Sequence, residues 1–170
     1  MASCGGSGVS DTSHPTTTRA KSTTTTSVPV TSTTLDPTSI AVLSAYRASW
    51  SAFEHALTTA NPSDPELAAT MVEPQLQSVK ANLFADKRAG MVGRGTTTLH
   101  PKVIALSATK ATVVDCAHSS ADLVYASSGK PVPPVTPPEN DGVRATLVLS
   151  GSTWKVSKQK VTEGTCAPGS

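Results

Sequence analysis

The sequence predicts an α+β domain, with helices first and a run of antiparallel strands after them. Three observations lead there. Apolar residues recur at helical spacing from Ile40 to about Leu83, the period turns extended after Gly90, and the later segments are joined by turn chemistry suited to hairpins. The 170 residues divide by composition into a short start (1–6), a Ser/Thr/Pro tract (7–39), a folded part (40–166) and a tail (167–170).

The first helix is expected from a Ser39 cap to about Ala60. Leu43, Tyr46, Trp50, Phe53 and Leu57 are spaced by three or four residues and make one apolar stripe, with His55 nearly opposite. Asn61-Pro62-Ser63-Asp64-Pro65 ends that helix and starts another, with Asp64 as cap and Pro65 in the first turn. Leu67 to Val72 is then a short helix. Pro74 opens a third, with Leu76, Val79 and Leu83 on one face and Gly90 placed to end it.

Met91 to Thr98 contains Gly93 and Gly95 and reads as one kinked or bulged strand. Val103–Ser107 and Ala111–Ala117 form a hairpin, and Leu123–Ala126 is a short, weak strand. Five prolines between Ser127 and Gly142 read as a long extended connection. Val143–Leu149 and Trp154–Val161 close on Gly151-Ser152, a two-residue turn with glycine first. That register sets Leu149 against Trp154 and Leu147 against Val156 on one buried face.

The start of the chain bears on location. Ala2-Ser3-Cys4-Gly5-Gly6 has the small-small-Cys context of a lipoprotein processing site, so Cys4 is the expected lipid anchor to a membrane. No hydrophobic signal segment precedes it, so the chain reads as trimmed close to the processing site or started late. More than half of residues 7–39 are Ser or Thr, a composition that cannot offset its ordering entropy and is expected to be a disordered stalk. Cys116 and Cys166 both fall in the folded part. In an exported, extracytoplasmic protein that pair should oxidise to a disulfide.

The folded part carries twelve Lys/Arg against ten Asp/Glu. Such a balance gives no concentrated basic footprint for nucleic acid, and Lys155, Lys158 and Lys160 read as a solvated face or edge protection. No P-loop, dinucleotide fingerprint or G-x-S-x-G is present, and His118, two residues after Cys116, is no metal-ligand spacing. No metal and no cofactor are expected.

The stretch Val114-Asp115-Cys116, Ser119-Ser120, Tyr125, Gly129-Lys130-Pro131-Val132, Arg144-Ala145-Thr146, Trp154-Lys155-Val156 and Gly164-Thr165-Cys166 resembles a group of actinobacterial lipoproteins of no known activity. That group is similar to the NTF2-like (SnoaL-like) superfamily, and the resemblance covers roughly Val42 to Cys166. It implies a curved sheet wrapped by helices into a cone, with a pocket between the long helix and the concave sheet.

In such a pocket Tyr46, Trp50, Phe53, Arg94 and Asp115 are the candidate ligand-binding residues. Asp115 is the group to weigh for proton transfer, with Tyr46, Trp50 and Arg94 able to approach it. The plainer readings are that Asp115 pairs with Arg94 or Arg144, or points outward on its strand. Tyr46 is expected at a partly wet rim, since its hydroxyl needs a partner, while Trp50 and Phe53 are expected in the core. No catalytic residue is assigned. Two classes of function follow: a non-catalytic envelope module for a small apolar ligand or an envelope protein, or a small NTF2-like isomerase or dehydratase. A third option is an adaptor or homodimer that uses the open sheet face.

Overall fold

A computed structural model describes residues 36–135 and 137–167. Cys4, the Ser/Thr/Pro tract up to residue 35 and the tail from 168 lie outside the described residues.

Helix α1 runs from Pro37 to Leu57. Its cap is Asp36 rather than Ser39, because a proline in the first turn moves the start upstream. The Asp36 carboxylate accepts from the Thr38 and Ser39 N–H groups, both at 3.0 Å. The Ser39 hydroxyl donates to the same carboxylate, and it is the leading cause that holds Asp36 below its ordinary pKa. The helix stops at Leu57, three residues short of the expected end. Helix α2 spans Pro65–Thr70 behind its Asp64 cap, and α3 spans Gln75–Arg88 and is ended by Gly90 at φ 68°.

The expected single kinked strand is two strands in two sheets. Strand β1 (Met91–Arg94) pairs with β5 (Asp122–Tyr125), and β2 (Thr97–Thr98) pairs with the end of β4 (Lys110–Ser119). Gly95, at φ 105°, makes the break, and a side chain there would strike the Ser120–Ala121 backbone. The segment expected as a weak strand is therefore β5, secured by its partner.

Strand β3 (Lys102–Leu106) forms the predicted hairpin with β4. Strand β6 begins at Glu139, earlier than expected, and runs to Ser150. Strand β7 (Thr153–Thr162) returns from the Gly151 turn with Leu149 opposite Trp154 and Leu147 opposite Val156. The larger sheet has the order β2-β4-β6-β7, with β3 beside β2 on the same edge of β4. Helices followed by a curved antiparallel sheet are the α+β class expected.

One face of this sheet is the core. Ala111, Val113 and Ala117 of β4, Val143, Ala145 and Leu147 of β6, and Trp154 and Val156 of β7 meet Val42, Leu43 and Tyr46 of α1, with Leu67 and Leu83 from α2 and α3. Burying each large side chain contributes about 1.5–3 kcal/mol before entropy. The free edge of β7 is partly sealed. The Val72 N–H donates to the Val156 carbonyl (3.0 Å), and the Gln159 N–H donates to Gln75 Oε1 (2.8 Å). Cys116 on β4 and Cys166 past β7 are bonded, with Cα atoms 5.8 Å apart.

Candidate functional site

The apolar stripe of α1 diverges into two environments. Tyr46 is fully buried, and its hydroxyl donates to Asp115 Oδ2 at 3.0 Å. The His100 N–H donates to Asp115 Oδ1 at 2.6 Å, so both carboxylate oxygens are engaged. Burial, and then the facing Asp115 carboxylate, hold the Tyr46 phenol far above its ordinary pKa. Tyr46 is thus a fixed donor, not a rim residue. The Trp50 indole exerts a smaller opposing pull, although its buried N–H has no hydrogen-bond partner of acceptable geometry. Asp115 pairs with neither arginine. Arg144 is exposed on the other face of the sheet, and Arg94 donates to the Thr58 and Gly93 carbonyls at 3.0 and 2.8 Å.

One turn further along α1 the stripe opens onto a cleft of about 260 Å³. Helix α1 supplies Ser49, Trp50 and Phe53, α3 supplies Gln75, Ser78, Val79 and Asn82, β7 supplies Gln159 and Val161, and Met71 closes the end. Trp50 and Phe53 meet edge to face, centroids 6.4 Å apart. Of the five candidates, Trp50 and Phe53 line this cleft. Tyr46 and Asp115 lie outside it, and Arg94 borders a separate depression with Glu54, His55 and Thr58.

The floor of the cleft is aromatic and aliphatic, and its polar groups are amides and hydroxyls. Not one lining residue is an acid or a base. The Ser49 hydroxyl is occupied by the Tyr46 carbonyl (2.7 Å), and Gln75 Oε1 by Gln159. That leaves the Gln75 NH₂ and the side chains of Ser78, Asn82 and Gln159 to face a ligand. Such a site can orient an apolar molecule bearing carbonyl or hydroxyl groups, but it holds no group to move a proton.

Six of the lining residues come from α3 and β7, and sequence reasoning missed them as site residues for two reasons. In α3, Gln75, Ser78 and Asn82 recur at spacings of three and four beside Val79, a polar stripe that helical periodicity does display. In β7, a bulge hides the answer. Thr146 pairs with Lys158 but Leu147 with Val156, leaving Ser157 as an extra residue. Strict alternation from Trp154 and Val156 would bring Lys158 and Lys160 inward, and the bulge brings Gln159 and Val161 instead.

A second cluster lies at the far end of α1. His55 Nδ1 is 3.0 Å from Asp64 Oδ2, and with Glu66 these groups offer ligand atoms within 4.8 Å of one another. Asp64 already accepts from the Glu66 N–H as the cap of α2, which accounts for its position.

No family model matches the chain, and no curated protein matches it. Among solved structures, the intermembrane space region of the chloroplast protein ARC6 is similar at 17% identity and a TM-score of 0.59, over 76% of this chain and 98% of that one. A scytalone dehydratase candidate from Novosphingobium aromaticivorans is similar at 17% identity and a TM-score of 0.49, over 71% of this chain and 83% of that one. An NTF2-like protein of unknown function from Prochlorococcus follows at 15% identity and a TM-score of 0.37, over 52% and 63%. The likeness to the ARC6 region is one of fold alone, and the two looser ones add nothing to it.

Proposed function

We propose that this chain is a lipid-anchored extracytoplasmic protein whose domain binds a small, largely apolar ligand and does not transform it. The observation that carries the binding half is the cleft lining: Trp50 and Phe53 over Met71, Val79 and Val161, ringed by amides and hydroxyls, with no titratable side chain. The Tyr46–Asp115 pair, which the sequence singles out for proton transfer, is spent on holding α1 to β4 inside the core. The location half is supported by the Cys116–Cys166 bond, which favours an oxidising compartment, and by the small-small-Cys start. Among the described residues no helix is long and apolar enough to cross a membrane.

Native mass spectrometry of the protein purified from its own host tests the binding half, and it reads oligomeric state in the same spectrum. A retained adduct that Phe53→Ala or Asn82→Ala weakens is the expected result. Turnover of an isomerase or dehydratase substrate, abolished by Asp115→Asn, would replace binding with catalysis. For the location, Cys4→Ala should release the chain from membranes washed with about 1 M salt, which removes electrostatic attachment, or leave it unprocessed. A variant that still partitions with the washed membranes rules the anchor out.

A further inference from the structure

We propose that the sheet face turned away from the helices docks on an anionic phospholipid bilayer, an inference that rests on the envelope location above. The residues packed against the helices, Val113, Ala145, Leu147 and Val156 among them, all point to one side. The alternate residues make a second face that carries no helix, crossed near Gly142 by the segment that ends in Cys166.

Register places cations in rows across that second face. Lys102 pairs with Val114, Val114 with Arg144, and Arg144 with Lys160, so three cations stand in one line over β3, β4, β6 and β7. Lys158, opposite Thr146, adds a fourth in the adjoining row. The bulge that turns Gln159 and Val161 into the cleft is what turns both lysines outward. All four cations are exposed, and the sole ion pair among the described residues is His55–Asp64, elsewhere.

By register the carboxylates of these strands, Asp115, Glu139 and Asp141, fall on the opposite parity, opposite Val143, Ser119 and Ala117. At the start of β6, Asp141 accepts from the Gly164 N–H and lines a separate depression with Glu139 and Glu163. Asp115 borders a shallow depression between Arg144 and Lys160, but its carboxylate turns inward to Tyr46 and His100. Thr162 adds a hydroxyl to the depression, while the Thr165 hydroxyl beside it donates to the Thr162 carbonyl at 2.8 Å.

An extended anionic surface complements this face better than a nucleic acid does. No helix projects from it to enter a groove, and the rows hold no aromatic side chain on which a base would stack. Cations spread over neighbouring strands, with Val114 between Lys102 and Arg144, suit headgroups lying in a plane. Attraction of this kind is weak per charge, additive and screened by salt.

The test uses the full chain carrying Cys4→Ser, so that no acyl chain contributes, and vesicles of phosphatidylcholine alone or with phosphatidylglycerol. Sedimentation with the anionic vesicles only, lost in about 1 M salt where the screening length is ~3 Å, is the expected result. Arg144→Glu with Lys160→Glu should lower vesicle partition at least about tenfold, with the thermal midpoint unchanged, and Arg144→Lys should retain it. Equal binding to neutral vesicles, indifference to the double reversal, or displacement by a short DNA duplex at equal charge would each overturn the proposal. Because the chain is unacylated, such a failure leaves the anchor at Cys4 to its own release experiment.

Discussion

Along α1, Leu43 and Tyr46 disappear into the core, whereas Trp50 and Phe53, set in the same apolar stripe, stay partly open to the cleft. What differs is the surface each half meets. Tyr46 meets β4, where a buried carboxylate accepts from the phenol among alanines and valines. Trp50 and Phe53 meet α3 and the end of β7, which Met71 and Gln75 tie together around a cleft. Helical periodicity reports that a face is apolar; the size and spacing of the opposing residues decide whether it becomes core or binding wall.

The largest effect should come from the bond behind the packed half. Cys116 adjoins Asp115 on β4, so its link to Cys166 braces the strand that receives Tyr46. Replacing both cysteines with alanine should cost about 4 kcal/mol in the chain-entropy picture for a loop of this length. Denaturant unfolding reads that loss. Ligand retention by whatever protein remains folded should be unchanged, since neither cysteine lines the cleft. A loss of retention larger than the unfolded fraction would erase the distinction between the two halves.

Tyr46→Phe comes next. It strands Asp115 Oδ2 in the core, which should cost about 1–3 kcal/mol. The pH dependence identifies the cause. In the unfolded chain the phenol ionises near its ordinary value of about 10, while in the fold it is held protonated well above that. The unfolded state therefore loses its proton first, and this contribution to stability is full below about pH 10 and falls as pH rises. The slope should reach at most about 1.4 kcal/mol per pH unit and be absent from the Tyr46→Phe curve. Parallel alkaline curves for the two proteins would mean that the hydroxyl is not confined as described.

Much of the framework was legible because local rules dictated it. The α1 stripe, the Asp64-Pro65 start of α2, Gly90 and the Gly151 hairpin with its register all follow from periodicity and turn chemistry. The cleft was half legible. Trp50 and Phe53 were named, but with the wrong burial relative to Tyr46, because a phenol looks wet until a buried acceptor such as Asp115 is known. Arg94 was drawn to the site by its charge, yet Gly93 and Gly95 carry it to the far end of α1. Gln159 and Val161 stayed hidden because the bulge at Ser157 depends on how β6 and β7 pair, which no window of one strand records.

The smallest stability effect should fall on the open half, and it is the sharpest test of the comparison. Truncating a fully packed phenylalanine to alanine costs about 3–5 kcal/mol, through lost burial and the cavity left behind. Phe53 already borders a cavity of about 260 Å³ that reaches solvent, so fewer packing contacts are forfeited and little new void is made. Phe53→Ala should therefore cost no more than about 1 kcal/mol, within the range of ordinary substitutions. The same change removes one partner of the Trp50–Phe53 edge-to-face pair and widens the floor, so ligand retention should fall while the fold holds. A loss of 3 kcal/mol or more would make Phe53 a core residue like Tyr46, and α1 would then have one environment instead of two.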